Sequence, residues 1–161
     1  MFDRRLIDEY ARGGERVRRA VSGLSREEML AHPVPGTWSI QEIVVHLLDS
    51  DLVAVHRMKR IIAEDVPLLI GYDESRFAAS KELLYAEQPV GEAIDLFEMN
   101  RRLFVPVLRG LPEAAFERYG VHNARGKVKL GEMVADYVEH VGHHLKFVKE
   151  KRALLGRALQ E

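Results

Sequence analysis

The segment from Ser39 to Glu64 constrains the fold more than any other part of this 161-residue chain. Ser39 and Glu42 have the S-x-x-E spacing of a capping box, in which each side chain satisfies a backbone N–H that the helix leaves unpaired. Trp38 and Ile43 flank the box at the positions of a hydrophobic staple, and Pro33 and Pro35-Gly36 precede it as turn residues. Behind this start, Ile40, Ile43, Val44, Leu47, Leu48, Leu52, Val55 and Ile61 fall around most of a helical circumference. A helix apolar on nearly every side needs several neighbours to cover it. It is expected to run to about Glu64, ahead of Pro67.

Three further segments repeat apolar residues at helical spacing. Asp3 to Leu24 carries Leu6, Tyr10, Val17, Val21 and Leu24, interrupted by Gly13-Gly14, which implies either a close helix contact or a local bend. Val90 to Arg109 turns Ala93, Ile94, Phe97, Phe104, Val105 and Leu108 inward, with Pro106 expected to kink its last turns. The last runs from near Leu130 to about Leu155, behind a poor N-cap in Lys129. No segment reads as part of a sheet. The long connection from Asp65 to Pro89, with a short helix near Arg76 to Tyr85, suits a crossing of the bundle end. The expectation is an all-α, four-helix bundle, one domain over residues 1–161.

Composition narrows the function. The 24 basic and 25 acidic residues give a net charge of -1, and they interleave, as in Asp3-Arg4-Arg5 ahead of Asp8-Glu9. No field draws nucleic acid or an anionic membrane. Cysteine is absent, which excludes disulfides, a thiolate nucleophile and any Cys-containing zinc site. The charged N-terminus lacks a signal core, and no apolar run approaches the roughly 20 residues of a membrane span. A cytoplasmic location is expected.

Seven histidines are present, and a lone helical histidine is more often structural than functional. The fourth helix departs from that rule. At 100° per residue, with His140 at zero, His144 falls at about 40° and Tyr137 at about 60°, beside Met133 and Phe147. His143 falls on the polar side. Two imidazoles at i, i+4 on an inward face can converge on one ion, or each can find a carboxylate or carbonyl instead. A third ligand must come from elsewhere. His46 is the natural candidate, set beside Ile43 and Leu47. His56 and His32 have more polar surroundings, and His122 can approach from a loop.

Thr37-Trp38-Ser39-Ile40-Gln41-Glu42-Ile43-Val44-Val45-His46 resembles the TWS-x-x-E-x-x-x-H segment of the DinB-like (DinB/YfiT) four-helix metalloproteins. The stretch Arg57 to Pro67 with Tyr72-Asp73 is similar to one that follows in a branch of that family, and Tyr137 to Lys146 resembles its paired-histidine helix. With Arg101 and the His122 to Gly126 stretch, the likeness spans nearly the whole chain. It implies a metal site of His46, His140 and His144, zinc or nickel as the divalent ion, and a homodimer. It also implies S-transferase or isomerase chemistry with a low-molecular-weight thiol such as bacillithiol, mycothiol or glutathione. Lys129 departs from the threonine that often caps this helix in relatives.

Three neutral imidazoles leave an ion with open positions, which is the catalytic rather than the structural pattern. Activation of a thiol cosubstrate towards a small electrophile is the leading expectation; a metal-hydroxide hydrolase and a non-catalytic ligand- or partner-binding bundle are the alternatives. Asp49, Asp136, Glu42 and Tyr137 all project near the ligands as bases or as partners of the rings. Arg101 interrupts an apolar stripe, either to bind a substrate carboxylate or to form a structural ion pair.

Overall fold

A computed structural model describes residues 1–159. The first helical segment divides into α1 (Arg5–Ala11) and α2 (Gly13–Val21), and a one-turn helix, α3 (Arg26–Leu30), follows. The central helix α4 (Ile40–Ala63) leads into β1 (Leu68–Leu69) and α5 (Glu74–Ala79). Next come α6 (Val90–Gly110), the hairpin β2 (Tyr119–His122) and β3 (Gly126–Lys129), and α7 (Leu130–Leu154).

The capping box forms as its spacing predicts. Ser39 Oγ accepts from the Glu42 N–H at 3.2 Å, and the Ser39 N–H donates to Glu42 Oε2 at 2.6 Å. Residues all around α4 are buried because α6 and α7 pack against it from two directions and α3 covers its start. Of the apolar residues named above on α4, Leu52 is the exposed one, at 40%. At α7 the weak cap is remedied from within the helix: the Lys129 N–H donates to Glu132 Oε2 at 2.9 Å.

The direction of the helices follows from what packs with what. The first half of α4 (Ile40 to Leu48) shares a core with Val17, Ile94, Phe97 and Val148. Its second half (Ala54 to Ile61) shares another with Ile7, Phe104, Leu108 and Met133. Residue numbers rise together along α4 and α6, so these neighbours run the same way, while α7 and the α1–α2 pair run against them. Parallel neighbours cannot be joined by a tight turn. The chain must return along the roughly 36 Å of a 24-residue helix, which is why the connection after α4 is long.

That return strap is fastened to α4 along its length. Arg60 donates to Leu68 O and Arg57 to Ile70 O, each at 2.6 Å. The Ser50 and Tyr72 hydroxyls lie 2.6 Å apart, Tyr85 Oη donates to Asp49 Oδ2 at 2.5 Å, and buried Gln41 donates to Tyr85 O and Ala86 O at 2.8 and 2.6 Å.

Two departures from the sequence expectation concern local structure. A small three-stranded sheet is present, with β1 parallel to β2 (Leu68↔Val121) and β2 antiparallel to β3 (Tyr119↔Lys129). Strands of two and four residues are too short for a period-2 pattern to register. The break near Gly13-Gly14 is both a bend and a close contact. The chain turns at Arg12, and a Cβ on Gly13 or Gly14 would strike the Arg101 guanidinium or the Glu98 side chain of α6. The helix α6 continues through Pro106 to Gly110. No helix among the described residues is long and apolar enough to cross a membrane.

Candidate metal centre

His46 points from the second turn of α4 towards α7 and is wholly buried, while His140 and His144 lie one turn apart on α7 and are partly buried. Their Nε2 atoms form an equilateral triangle with sides of 3.1 Å. Each ring nitrogen offers one in-plane position, either a proton or a lone pair. No arrangement of protons therefore satisfies all three sides of such a triangle. Three nitrogens about 2.0–2.1 Å from one zinc-like ion lie roughly 3 Å apart, so the triangle has the right size for a shared cation.

Electrostatics favour the lone-pair form. Burial and the neighbouring imidazoles hold His46 down to about 3. Burial also lowers His140 and His144 to about 4, aided by the Arg101 charge and His143 for the first and by His140 and His143 for the second. All three rings are neutral at pH 7, the state a metal requires. The Nδ1 atoms of His46 and His144 are buried with no partner among the described residues, so both rings are held by packing. Trp38, just ahead of the α4 cap, lies 4.9 Å from the His46 ring and nearly parallel to His144 at 6.2 Å. The edge of Tyr137 meets His140 at 5.8 Å.

The triangle opens on a polar cavity of about 500 Å³, lined by Ser50, Arg57, Tyr72, Glu74, Tyr137 and His140 among others. Glu74, in the first turn of α5, brings Oε2 to 3.8 Å from His46 Nε2. Partial burial pushes its carboxyl above the usual carboxylate range despite the Arg57 charge. The strap fastened along α4 places it there. The sequence reading did not single it out: its signal was the Asp73 N-cap, whose Oδ1 accepts from Arg76 N at 3.0 Å, within a segment treated as connection.

The other candidates are engaged elsewhere. Asp49 accepts from Tyr85, Glu42 belongs to the α4 cap, and Asp136 pairs with Arg125 at 2.7 Å. Tyr137 alone of that group faces the rings, with its Oη 3.4 Å from Arg57 Nη1. Arg101 is no substrate anchor. It is 1% exposed, with Nε 2.8 Å from Asp51 Oδ1 and Nη1 2.9 Å from Tyr10 O. Of the remaining histidines, His122 lines the rim of the cavity, His143 is exposed beside Phe147, His32 bonds Thr37 O, and His56 is exposed.

A model of the DinB superfamily matches residues 9–148. A protein of Oceanobacillus iheyensis, provisionally named a metal-dependent hydrolase, is 28% identical over 132 residues, 82% of this chain and 75% of the relative. YfiT of Bacillus subtilis, named in the same way, is 29% identical over 122 residues, 75% of this chain and 67% of YfiT. The solved structure of YfiT, described as an unusual four-helix bundle, matches with a TM-score of 0.88 at 22% identity, over 94% of this chain and 86% of that one. A mycothiol-dependent maleylpyruvate isomerase matches more distantly, with a TM-score of 0.68 at 14% identity, over 88% of this chain and 58% of the isomerase. A bundle with a returning strap and three convergent imidazoles is thus found in a chain that belongs to the DinB superfamily.

Proposed function

We propose that His46, His140 and His144 hold one divalent metal ion, zinc or nickel, and that the site transfers a small thiol cosubstrate to an electrophile. The observation that carries this reading is the 3.1 Å triangle of Nε2 atoms beside an open polar cavity. An ion held by three imidazoles supplies Lewis acidity, enough to bring a bound thiol or water into its deprotonated form near pH 7.

The chain's own groups complete the work. Glu74 lines the cavity with Oε2 3.8 Å from His46 Nε2 and accepts the proton that a thiol or water gives up. Arg57 and Tyr137 stand together on the same wall and orient an anionic or carbonyl oxygen of the electrophile. The thiol comes from outside because the chain has no cysteine. The names of the hydrolase-like relatives support a second reading, in which water replaces the thiol and the same Glu74 takes its proton. An exposed stripe of Leu96, Met99, Leu103 and Val107 along α6 supports a homodimer, and a cytoplasmic setting suits reliance on a diffusible thiol.

The test is a screen of the metal-loaded protein with bacillithiol, mycothiol and glutathione against electrophiles, run beside esters and amides without thiol. Turnover with one thiol is expected to fall by about 10²–10⁴ in Glu74→Gln and to vanish in His144→Ala. Turnover of the esters alone selects hydrolysis. Activity untouched in both variants contradicts the proposed chemistry.

A further inference from the structure

A second cavity, of about 430 Å³, reaches the triad through His144 rather than His140. Its character is the opposite of the first. Val34, Trp38, Ile43 and Phe147 give it apolar walls, and Lys151 and Thr37 supply polar groups. The volume lies in the range of small-molecule sites, which are mostly apolar with a few placed polar groups.

Lys151 is the feature that calls for a ligand. Only 4% of it is exposed, and among the described residues its ammonium has one hydrogen-bond partner, the Thr37 hydroxyl at 2.5 Å. Among the described residues no carboxylate lies within ion-pairing distance. Glu42 is occupied by the α4 cap, and the exposed Glu150 stands at the cavity lining without reaching the ammonium. A buried cation with one neutral acceptor, and with Glu42 and Glu150 acting on it only from beyond ion-pairing distance, has its desolvation cost only partly offset. A carboxylate entering the cavity removes it.

We propose that this cavity binds a small, flat, apolar carboxylic acid, with its carboxylate on Lys151 and its apolar body against Trp38 and Phe147. Lys151 follows His144 by seven residues, or about 10 Å along α7. A ligand anchored there therefore presents the end remote from its carboxylate to the triad. The inference rests on the proposed function only for which end reacts; anchoring by Lys151 stands without it.

Trp38 is the only tryptophan of the chain, so its emission reports this cavity and the triad it adjoins. The experiment titrates the full-length protein with 4-phenylbutanoate and with the neutral 4-phenylbutanamide. A saturable emission change is expected, with the acid binding about tenfold or more tighter than the amide, as a charge-assisted contact implies. Lys151→Met should bring the acid down to the amide's affinity while leaving the amide unchanged. The acid should bind the chelator-treated and the zinc-loaded protein alike, which separates this site from any failure of the metal reading. Equal affinity for acid and amide, absence of saturable binding, or acid binding indifferent to Lys151→Met overturns the proposal. Should Lys151→Met fail to fold, the acid-to-amide ratio in the wild type decides the matter by itself.

Discussion

Replacing Asp51 by Ala is expected to lower the unfolding free energy by about 3–5 kcal/mol, the cost of stranding one partner of a buried ion pair. Asp51 and Arg101 are each 1% exposed and meet at 2.8 Å between the two halves of the core. Arg101 is held on every side: its guanidinium lies 4.0 Å from the Tyr10 ring centroid and 4.5 Å from that of Phe97, and Nη2 donates to Tyr137 O on the histidine helix at 3.2 Å. Asn100 gives Asp51 a second donor at 2.8 Å. In Asp51→Ala the guanidinium keeps its burial and loses its counter-charge. For a chain of this size the midpoint of thermal unfolding should fall by roughly 10 °C, at about 2–4 °C per kcal/mol. Removing both charges, in Asp51→Ala with Arg101→Met, should recover much of that loss, because an apolar pair needs no desolvation. Chemical denaturation of the two variants checks the sign. A single variant within 1 kcal/mol of the wild type, on the order of an exposed pair, would remove the pair from the account of stability.

The second large effect falls on metal affinity. His46→Ala should weaken divalent metal binding by at least about 100-fold, since partners that merely orient a ligand are already worth 10- to 100-fold. Competition against a chromophoric chelator measures it. His143→Ala and His122→Ala should leave the affinity near that of the wild type. Their rings lie at the cavity lining rather than on the triangle of Nε2 atoms. An affinity that moves equally in all three variants would point to adventitious surface binding.

Both effects were partly legible in the sequence, and the reasons differ. The apolar circumference of α4 and the 40° offset between His140 and His144 are local properties of helices, so the bundle and the shared face of the two histidines could be read from spacing. His46 could be placed at the core edge in the same way, but its approach to α7 depends on how two helices meet. The Asp73 N-cap could mark the helix that starts at Glu74, but not the approach of Glu74 to the histidines. Its position is set by a strap of short elements fastened through Arg57, Arg60 and Gln41, and no periodicity marks such a path. The helix α3 went unread: its Ser25-x-x-Glu28 box, with the Glu28 N–H donating to Ser25 Oγ at 3.2 Å, opens a single turn, too short to leave an apolar stripe. Arg101 showed itself as a charge in an apolar face, and only its partner Asp51, fifty residues away, decides between a buried pair and a substrate anchor.

The central claim is that one ion sits among three imidazoles, and anomalous diffraction tests it most directly. Crystals of the zinc-loaded protein, measured on both sides of the zinc absorption edge, should give one strong peak per chain at about 2.0–2.1 Å from Nε2 of His46, His140 and His144. A peak bound to other residues, or none at the triangle under saturating zinc, would contradict the account and leave three packed histidines in its place.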